Sequence, residues 1–302
     1  MTMANVLTLI ASPETADLTD QLVKRACDSL RQAGAIVQDI RWLAPKIAVD
    51  IPFNGIAPNI AQQQAGIALG NAPIDFFAQP VADRQKKLLV ADMDSTIIQV
   101  ECIDELADFA GLKEKVAKIT EAAMRGELDF AEALQERVAL LAGMDVSVLE
   151  KAFTERVVLM PGAIEMVKTM NKMGAKTVLV SGGFTFFTNR VARQTGFHIN
   201  RANTLNIEND QLTGTVGHPI VDANTKLHSL EEFRQAQGLQ INQTLAVGDG
   251  ANDIPMIKAA GLGVAYHAKP AAAEAADAQI NHGDLTALLY LQGYHQDDFA
   301  IA

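Results

Sequence analysis

The chain has 302 residues, which is long enough for two domains or one elaborated domain with an ample hydrophobic core. Apolar residues make up 49% and charged residues 20% of it, which is typical of a soluble globular protein. The net charge of -11 argues against a basic face for nucleic acid, so we expect no nucleic-acid partner. An anionic substrate must instead meet local positive charge.

The two cysteines, Cys27 and Cys102, lie far apart, and we interpret them as free thiols of a reducing compartment. The first five residues do not form a basic region followed by a long apolar stretch, and no run approaches the length of a membrane span. We therefore expect a cytoplasmic protein with no membrane partner.

Residues 1–80 predict a small α+β domain, followed by a polar linker at 81–87. Its expected elements are a strand, a helix, two strands, a helix and a strand, at 5–10, 15–33, 35–43, 47–53, 60–69 and 75–77. The order β-α-β-β-α-β is ferredoxin-like and resembles the ACT-type amino-acid-sensing domains. The pattern fits an effector-binding domain and a dimerisation or spacer domain equally well. Small modules of this kind often pair, so a homodimer is one expectation.

Residues 88–302 alternate apolar strands with helices, which predicts an α/β domain with a parallel sheet. The expected strands are 88–91, 176–180, 244–247 and 262–265, with a β-hairpin over 203–216. Between the first two strands, the segment 101–157 is almost wholly helical in character. A helical block inserted there would hang over the strand ends, where a lid belongs.

Polar clusters follow three of the predicted strands. Asp92 and Asp94 follow the first, Ser181-Gly182-Gly183 the second, and Asp249 through Asp253 the third. Each cluster alone fits a turn or a helix cap. Because the carboxyl ends of parallel strands meet at one edge of a sheet, the three together predict one ligand site.

The residue types at this edge suit phosphoryl transfer through a covalent intermediate. Asp92 is a candidate carboxylate nucleophile, and Asp94 a candidate acid and base for the leaving oxygen and the attacking water. Oxygen ligands without nearby Cys or His favour Mg2+, held between Asp92 and Asp249. The serine and glycines of the second cluster form a compact donor nest for phosphate, in which a side chain would crowd the phosphate. Lys226 would be the fixed cation, and Asn252 and Asp253 would orient the metal ligand or the substrate, although a lone lysine is most often a solvated surface residue.

These residues together resemble the haloacid dehalogenase (HAD) superfamily. Its four motifs are an Asp-x-Asp-x-Thr, a Ser or Thr after a strand, a Lys, and an acidic Gly-Asp-x-x-x-Asp, and they match Asp92-Met93-Asp94-Ser95-Thr96, Ser181, Lys226 and Gly248-Asp249 through Asp253. The resemblance implies a Rossmann-like core with a parallel sheet, a helical cap inserted after the first strand, and Mg2+ as cofactor. It also implies that Asp94 touches the metal through its backbone carbonyl, which makes Asp92, Asp94 and Asp249 the expected metal residues.

Within that superfamily, the sequence between Lys87 and Tyr290 is similar to the phosphoserine phosphatases. The similarity implies that Glu101 binds the substrate ammonium, that Arg137 binds its carboxylate, and that Met124 and Phe130 wall the pocket. Ser181, Gly182, Gly183, Lys226 and Asn252 would hold the phosphate, with Asp253 in support. A zwitterionic head group needs one anion and one bidentate cation, and Glu101 and Arg137 would supply them. Met93 departs from the family, which usually has Phe there.

The expected activity is therefore the hydrolysis of O-phosphoserine, the last step of serine biosynthesis. One alternative is a HAD phosphatase or phosphotransferase for another small phosphomonoester, such as phosphohomoserine. A more remote alternative is a non-catalytic phospho-receiver or binding protein, since receiver domains also pair an aspartate cluster with Lys and Thr. Receiver domains lack an inserted helical cap.

Overall fold

A computed structural model describes the backbone of residues 5–124 and 128–300 and the side chains of residues 5–120 and 128–300. Within this part of the chain, an antiparallel sheet carries two helices at the N-terminal end, and a six-stranded parallel sheet forms the larger core. No helix in these ranges is long and apolar enough to cross a bilayer. Both cysteines are free, as expected, and both are buried.

The N-terminal module confirms the predicted β-α-β-β-α-β order, with one strand divided in two. Helix α1 begins after Thr19, whose side chain accepts a hydrogen bond from Leu22 N, and it buries residues at helical spacing. The sheet has the order β2-β4-β1-β5, and β3 pairs with β4. The elements are β1 (Asn5–Ala11), α1 (Asp20–Gln32), β2 (Ile36–Val37), β3 (Arg41–Ala44), β4 (Ala48–Asn54), α2 (Pro58–Leu69) and β5 (Ile74–Pro80).

The core sheet has the order β13-β12-β11-β6-β7-β8, and all of its pairings are parallel. Strand β6 is central and completely buried, as a strand covered by helices on both faces must be. The strands are β6 (Leu88–Ala91), β7 (Lys176–Phe184), β8 (Ile199–Asn203), β11 (Thr244–Gly248), β12 (Leu262–Tyr266) and β13 (Ala278–Ile280). The helices of this layer are α7 (Ala163–Lys172), α8 (Thr185–Thr195), α9 (Ala223–Ala236), α10 (Ile254–Ala259), α11 (Pro270–Ala275) and α12 (Ala287–Leu291).

The helical cap lies between β6 and β7, as predicted. It comprises α3 (Cys102–Phe109), α4 (Lys113–Met124), α5 (Phe130–Ala139) and α6 (Ser147–Arg156). The hairpin of β9 (Leu205–Glu208) and β10 (Gln211–Val216) supports it, because Gly143 N donates to Leu212 O at 2.8 Å. A Cβ at Gly214 would come within 2.7 Å of the Ala142 Cβ, so the hairpin approaches the cap closely.

The two edge strands of the core sheet, β8 and β13, are absent from the predicted set. Strand β8 reads Ile-Asn-Arg-Ala-Asn and has four half-buried residues, so it lacks the apolar run that marks a central strand. Strand β13 has three residues and is too short to show a period. Both pair with a neighbour on one side only, and strands at the edge of a sheet are less buried and less apolar than central ones.

Buried charges join the N-terminal module to the core. Arg84 pairs with Asp50 at 2.7 Å and donates to the carbonyls of Tyr290 and Leu291. Asp75, 3% exposed, accepts the backbone N–H groups of Asn281, His282 and Gly283 at 2.7–3.1 Å. The two parts are thus bonded at several points.

Candidate active site

The polar strand ends converge above three adjacent strands of the core, β11, β6 and β7. Asp92 follows β6, Asp249 follows β11, and Ser181 lies within β7 near its carboxyl end. Asp92 N still donates to Val247 O at 3.0 Å, so the ladder fixes its backbone up to the point where the chain turns. The site is therefore placed by the sheet.

A cavity of about 120 Å3 opens at this edge, between the sheet and the cap. Carboxylates and glycines of the core form its floor, and helix α5 of the cap closes it from above. Its lining residues are Asp92, Asp94, Glu101, Ile103, Phe130, Leu134, Arg137, Gly182, Gly183, Phe184, Asp249, Asn252 and Lys269.

Three carboxylates and one lysine form the charged centre of the site. One oxygen from each of Asp92, Asp249 and Asp253 lies within 4.8 Å of the others, and all three side chains are buried. Lys226, 1% exposed, reaches Asp92 Oδ1 and Asp253 Oδ1, each at 2.7 Å. The lysine is thereby fixed between two of the three acids. Asp253 is the member of this cluster that the sequence assigned only a supporting role.

Burial and mutual repulsion shift the ionisation of this centre. Burial, and then the Asp253 carboxylate, raise the pKa of Asp92 well above its usual range, against the attraction of Lys226. The same two causes raise the pKa of Asp249. Burial lowers the pKa of Lys226, but Asp253 and Asp92 outweigh it and the net pKa is raised.

This centre fits a hard divalent cation. Its donors are carboxylate oxygens alone, and Lys226 offsets the charge of only one of the three acids. Burial is the first cause of the raised pKa values of Asp92 and Asp249, and the negative charge of Asp253 is the second. A cation between the two carboxylates would remove the repulsion.

Asp94 has surroundings different from those of Asp92. Its Oδ1 accepts Cys102 N at 2.8 Å, and its Oδ2 accepts the Ser181 hydroxyl at 2.8 Å. Its carboxylate is therefore held toward the cap entrance and β7 and is not a member of the three-acid cluster. The predicted metal contact of Asp94 through its backbone carbonyl stays a prediction.

In the Ser-Gly-Gly segment, the two glycines lie where neighbouring atoms leave no room for a side chain. Gly183 N donates to Ser181 Oγ at 2.8 Å, and a Cβ at Gly183 would lie 2.9 Å from Asp94 Oδ2. A Cβ at Gly182 would lie 2.9 Å from the Phe130 ring. Phe130 of α5 thus closes directly onto the glycine, which explains why the cavity is small.

The predicted amino-acid clamp is brought to the cavity by the cap. Glu101 precedes α3 and accepts the Ser95 hydroxyl at 2.7 Å; burial, then Asp94, raise its pKa to about 7. Arg137 donates through Nε to Ala133 O at 3.0 Å, and burial lowers its pKa, against the charges of Asp104 and Glu101. Asn252 also lines the cavity. The side chain of Met124 lies outside the described residues.

Sequence reasoning missed Lys269 at the mouth of the cavity. Its Nζ lies 3.7 Å from Asp249 Oδ2, and its backbone N donates to Asp249 O at 2.9 Å. It follows β12, the fourth predicted strand. The strand-end argument was applied only to the first three strands, and extending it to the fourth would have found Lys269.

Comparisons with known proteins agree with this geometry. The haloacid dehalogenase-like hydrolase family model matches residues 86–261. A phosphoserine phosphatase of Streptomyces coelicolor is 41% identical over 303 residues, covering 99% of this chain and 72% of that protein. Another, of Albidiferax ferrireducens, is 48% identical over 223 residues, covering 72% of this chain and 94% of that protein.

Solved structures show the same likeness. The unliganded crystal structure of a probable phosphoserine phosphatase from Vibrio cholerae aligns with a TM-score of 0.79 at 33% identity, covering 98% of this chain and 88% of that one. A substrate-bound phosphoserine phosphatase complex aligns with a TM-score of 0.64 at 40% identity, covering 68% of this chain and 98% of that one.

Proposed function

The chain belongs to the phosphoserine phosphatases of the haloacid dehalogenase-like hydrolase family, and we propose that it hydrolyses O-phospho-L-serine to L-serine and phosphate with Mg2+ as cofactor. One observation carries the proposal. One small cavity is lined both by Asp92, whose carboxylate is paired with the buried Lys226 and suits a phosphate centre, and by the Glu101 carboxylate and Arg137 guanidinium, which suit a zwitterion. This reaction is the last step of serine biosynthesis.

Asp92 is the nucleophile of the proposed mechanism. Its Oδ1 accepts both Met93 N and Lys226 Nζ, which leaves Oδ2 for attack on phosphorus. The new bond joins Oδ2 to phosphorus as the bond from phosphorus to the serine oxygen breaks. A Mg2+ ion held by Asp92 and Asp249, beside Asp253, would neutralise charge on the phosphate and the carboxylates.

Asp94 moves the proton in both half-reactions. It gives a proton to the departing serine oxygen, and it later takes one from the water that attacks the aspartyl phosphate. That attack releases phosphate and restores the Asp92 carboxylate. The hydrogen bonds from Cys102 N and the Ser181 hydroxyl fix the orientation of the Asp94 carboxyl. Asp94, the acid, and Asp92, the nucleophile, are thus oriented by different hydrogen-bond partners.

The cap selects the substrate. Glu101 is the counter-ion for the ammonium group and Arg137 for the carboxylate, while Phe130 limits the length of the molecule that fits above Gly182. We propose the same wall function for Met124, as the family resemblance implies. A larger phosphomonoester meets the Phe130 ring.

Phosphate release from a panel of phosphomonoesters, with Mg2+ present or chelated, tests this function. The panel contains phosphoserine, phosphohomoserine, phosphoethanolamine (no carboxylate) and p-nitrophenyl phosphate (neither head group). We expect phosphoserine to have the highest kcat/KM, and chelation to abolish turnover of every substrate. A preference for phosphohomoserine would support the alternative phosphatase, and no release from any member would leave a binding protein.

The variant Asp92→Asn tests the nucleophile within the same assay. We expect kcat to fall by at least about a thousandfold, because an amide oxygen is a poor nucleophile. Circular dichroism shows whether the variant is folded. Robust phosphate release by folded Asp92→Asn would rule out Asp92 as the nucleophile.

The division of the chain at 1–80, 81–87 and 88–302, with the cap at 101–157, also stays a proposal. Limited proteolysis followed by mass spectrometry tests these boundaries. Light scattering tests the proposed homodimer, and titration of the full chain with amino acids tests whether the N-terminal module binds an effector.

A further inference from the structure

Asn203 is a buried amide that hydrogen-bonds to the Ser-Gly-Gly segment and to the residue before the N-cap of α9, without lining the cavity. It ends β8 and is 1% exposed. Its Nδ2 donates to Gly182 O at 2.8 Å and to Val221 O at 3.3 Å, and its Oδ1 accepts Val221 N at 2.8 Å. The side chain joins the Ser-Gly-Gly segment to the segment that leads into α9.

On one side, this amide sets the orientation of the acid and base. In a trans peptide the C=O and the following N–H point in opposite directions. Since Asn203 holds Gly182 O, the Gly183 N–H points the other way and donates to Ser181 Oγ at 2.8 Å. The Ser181 hydroxyl in turn donates to Asp94 Oδ2 at 2.8 Å. Three hydrogen bonds in series, through the Gly182–Gly183 peptide and the Ser181 hydroxyl, therefore connect Asn203 to the Asp94 carboxyl.

On the other side, the same amide sets the start of the lysine helix. Val221 precedes Asp222, the N-cap of α9, whose side chain accepts Thr225 N at 2.8 Å. Lys226 N donates to Asp222 O at 3.1 Å, so Lys226 lies in the first turns of the helix. Its ammonium group is held by Asp92 and Asp253. The hydrogen bonds from Asn203 to Val221 thus help to fix the backbone from which the Lys226 side chain extends.

We propose that Asn203 is a positioning residue that fixes the Asp94 proton-transfer geometry relative to the Lys226–Asp92 centre. The inference rests on the proposed phosphatase function, which it extends. It assigns the residue no contact with substrate. An amide alone satisfies its partners, because two carbonyls require a donor and one N–H requires an acceptor on the same small side chain.

The variant Asn203→Asp tests this role through the leaving group. The aspartate has nearly the same shape, but it presents an oxygen to the Gly182 and Val221 carbonyls, so the Ser181–Asp94 series shifts. The kcat/KM value reports the steps up to departure of the leaving group, and an alkyl leaving group depends on a proton far more than p-nitrophenolate does. We expect kcat/KM to fall about a hundredfold for phosphoserine and about tenfold or less for p-nitrophenyl phosphate.

Asn171 provides a matched control. Its Nδ2 donates to Gly196 O at 2.7 Å and its Oδ1 accepts the Thr177 hydroxyl at 2.8 Å, at the opposite end of β7 from the site. Asn171→Asp is expected to lower the melting temperature without changing the ratio of the two kcat/KM values. If Asn203→Asp does not fold, Asn203→Ser, which keeps one donor, replaces it.

Equal losses on the two substrates, or a ratio no different from that of Asn171→Asp, would overturn the inference. The wild-type assay separates this result from the function itself. If the wild type does not hydrolyse phosphoserine, the proposed substrate is wrong, and the ratio is measured with an alkyl phosphate that the wild type does hydrolyse.

Discussion

Glu101 changes its charge near neutral pH. Burial and the neighbouring Asp94 raise its pKa to about 7, so its carboxylate gains a proton as the pH falls through that value. Protonation removes the counter-ion of the substrate ammonium. We expect kcat/KM for phosphoserine, divided by that for phosphoglycolate, to decrease as the pH falls through about 7.

Phosphoglycolate shares the ionising phosphate but has no ammonium group, so the ratio cancels the titration of the substrate phosphate. In the variant Glu101→Gln the ratio should be low at every pH and should not change across this range. A wild-type ratio that is independent of pH would contradict the assignment of Glu101 to the ammonium group.

Replacing Lys269 should change two constants in opposite directions: KM for phosphoserine and the Mg2+ concentration for half-maximal activity. Its ammonium group lies 3.7 Å from Asp249 and is largely exposed, so it attracts an anionic substrate while competing with a cation for Asp249. In Lys269→Met we expect KM for phosphoserine to rise, by up to about fivefold for a loss of about 1 kcal/mol. The Mg2+ concentration for half-maximal activity should fall.

The matched variant Lys258→Met removes an exposed lysine that does not line the cavity, and neither constant should change. If both constants rise in Lys269→Met, the lysine does not compete for Asp249.

At this scale the sequence was sufficient where a residue follows a central apolar strand. Asp92, Asp94 and Asp249 do so, Ser181 lies near the carboxyl end of β7, and the structure brings all four to one edge of the sheet. Lys226 lies on a helix; it was a candidate for the fixed cation, and the match to the family motif supported that assignment. The pairing of Lys226 with Asp253 depends on a turn after β11 in which Gly248 has no side chain to obstruct Asp253, and no sequence period reports that.

Helix α5 is the element on which the amino-acid clamp depends. A capping box begins it: Asp129 accepts Glu132 N at 2.8 Å, and Glu132 accepts Asp129 N at 3.0 Å. The helix has ten residues and carries both Phe130 and Arg137. In Asp129→Ala we expect the free energy of unfolding to fall by about 1 kcal/mol. We also expect KM for phosphoserine to rise severalfold, as the helix start loosens.

Thr19→Ala removes the corresponding cap from α1 in the N-terminal module and serves as the control. It should reduce stability by a similar amount, measured by urea unfolding, and leave KM unchanged. A KM effect of the same size in both variants would show that the cap of α5 has no specific link to the clamp.

Elements with a strong period and a full apolar face were predictable, and edge elements were not. The buried strands β6, β7, β11 and β12 and the cap helices were all predicted as elements, whereas β8 and β13 were missed. Their residues form a sheet because a neighbouring strand offers an unpaired edge, which is a tertiary cause that overrides weak local preference. Asn203, which ends β8, was hidden for the same reason.

Across the whole molecule, Asp75 links the module to the core through three backbone N–H groups. In Asp75→Asn the acceptor charge is lost and one of the two oxygens becomes a donor. We expect the free energy of unfolding to fall by about 3 kcal/mol, since hydrogen bonds to a buried charge are strong. Urea unfolding at neutral pH measures the change.

Asp28→Asn is the control, because Asp28 forms an ion pair with Arg31 in which both side chains are about half exposed. It should cost no more than about 0.5 kcal/mol. A similar small effect in Asp75→Asn would show that the loop at 281–283 does not depend on Asp75 for its stability.

The partners of these buried charges have a consequence for the order in which the protein completes its fold. Asp50 and Asp75 are made early in synthesis, yet their contacts include Arg84, the loop at 281–283 and, through Arg84, the carbonyls at 290–291. While the core is being synthesised, Arg84 can already pair with Asp50, but Asp75 still lacks its partners at 281–283 and Arg84 still lacks the carbonyls at 290–291. The module can therefore complete its docking only after residues 281–291 have been made, so segments about 200 residues apart in the sequence stabilise each other.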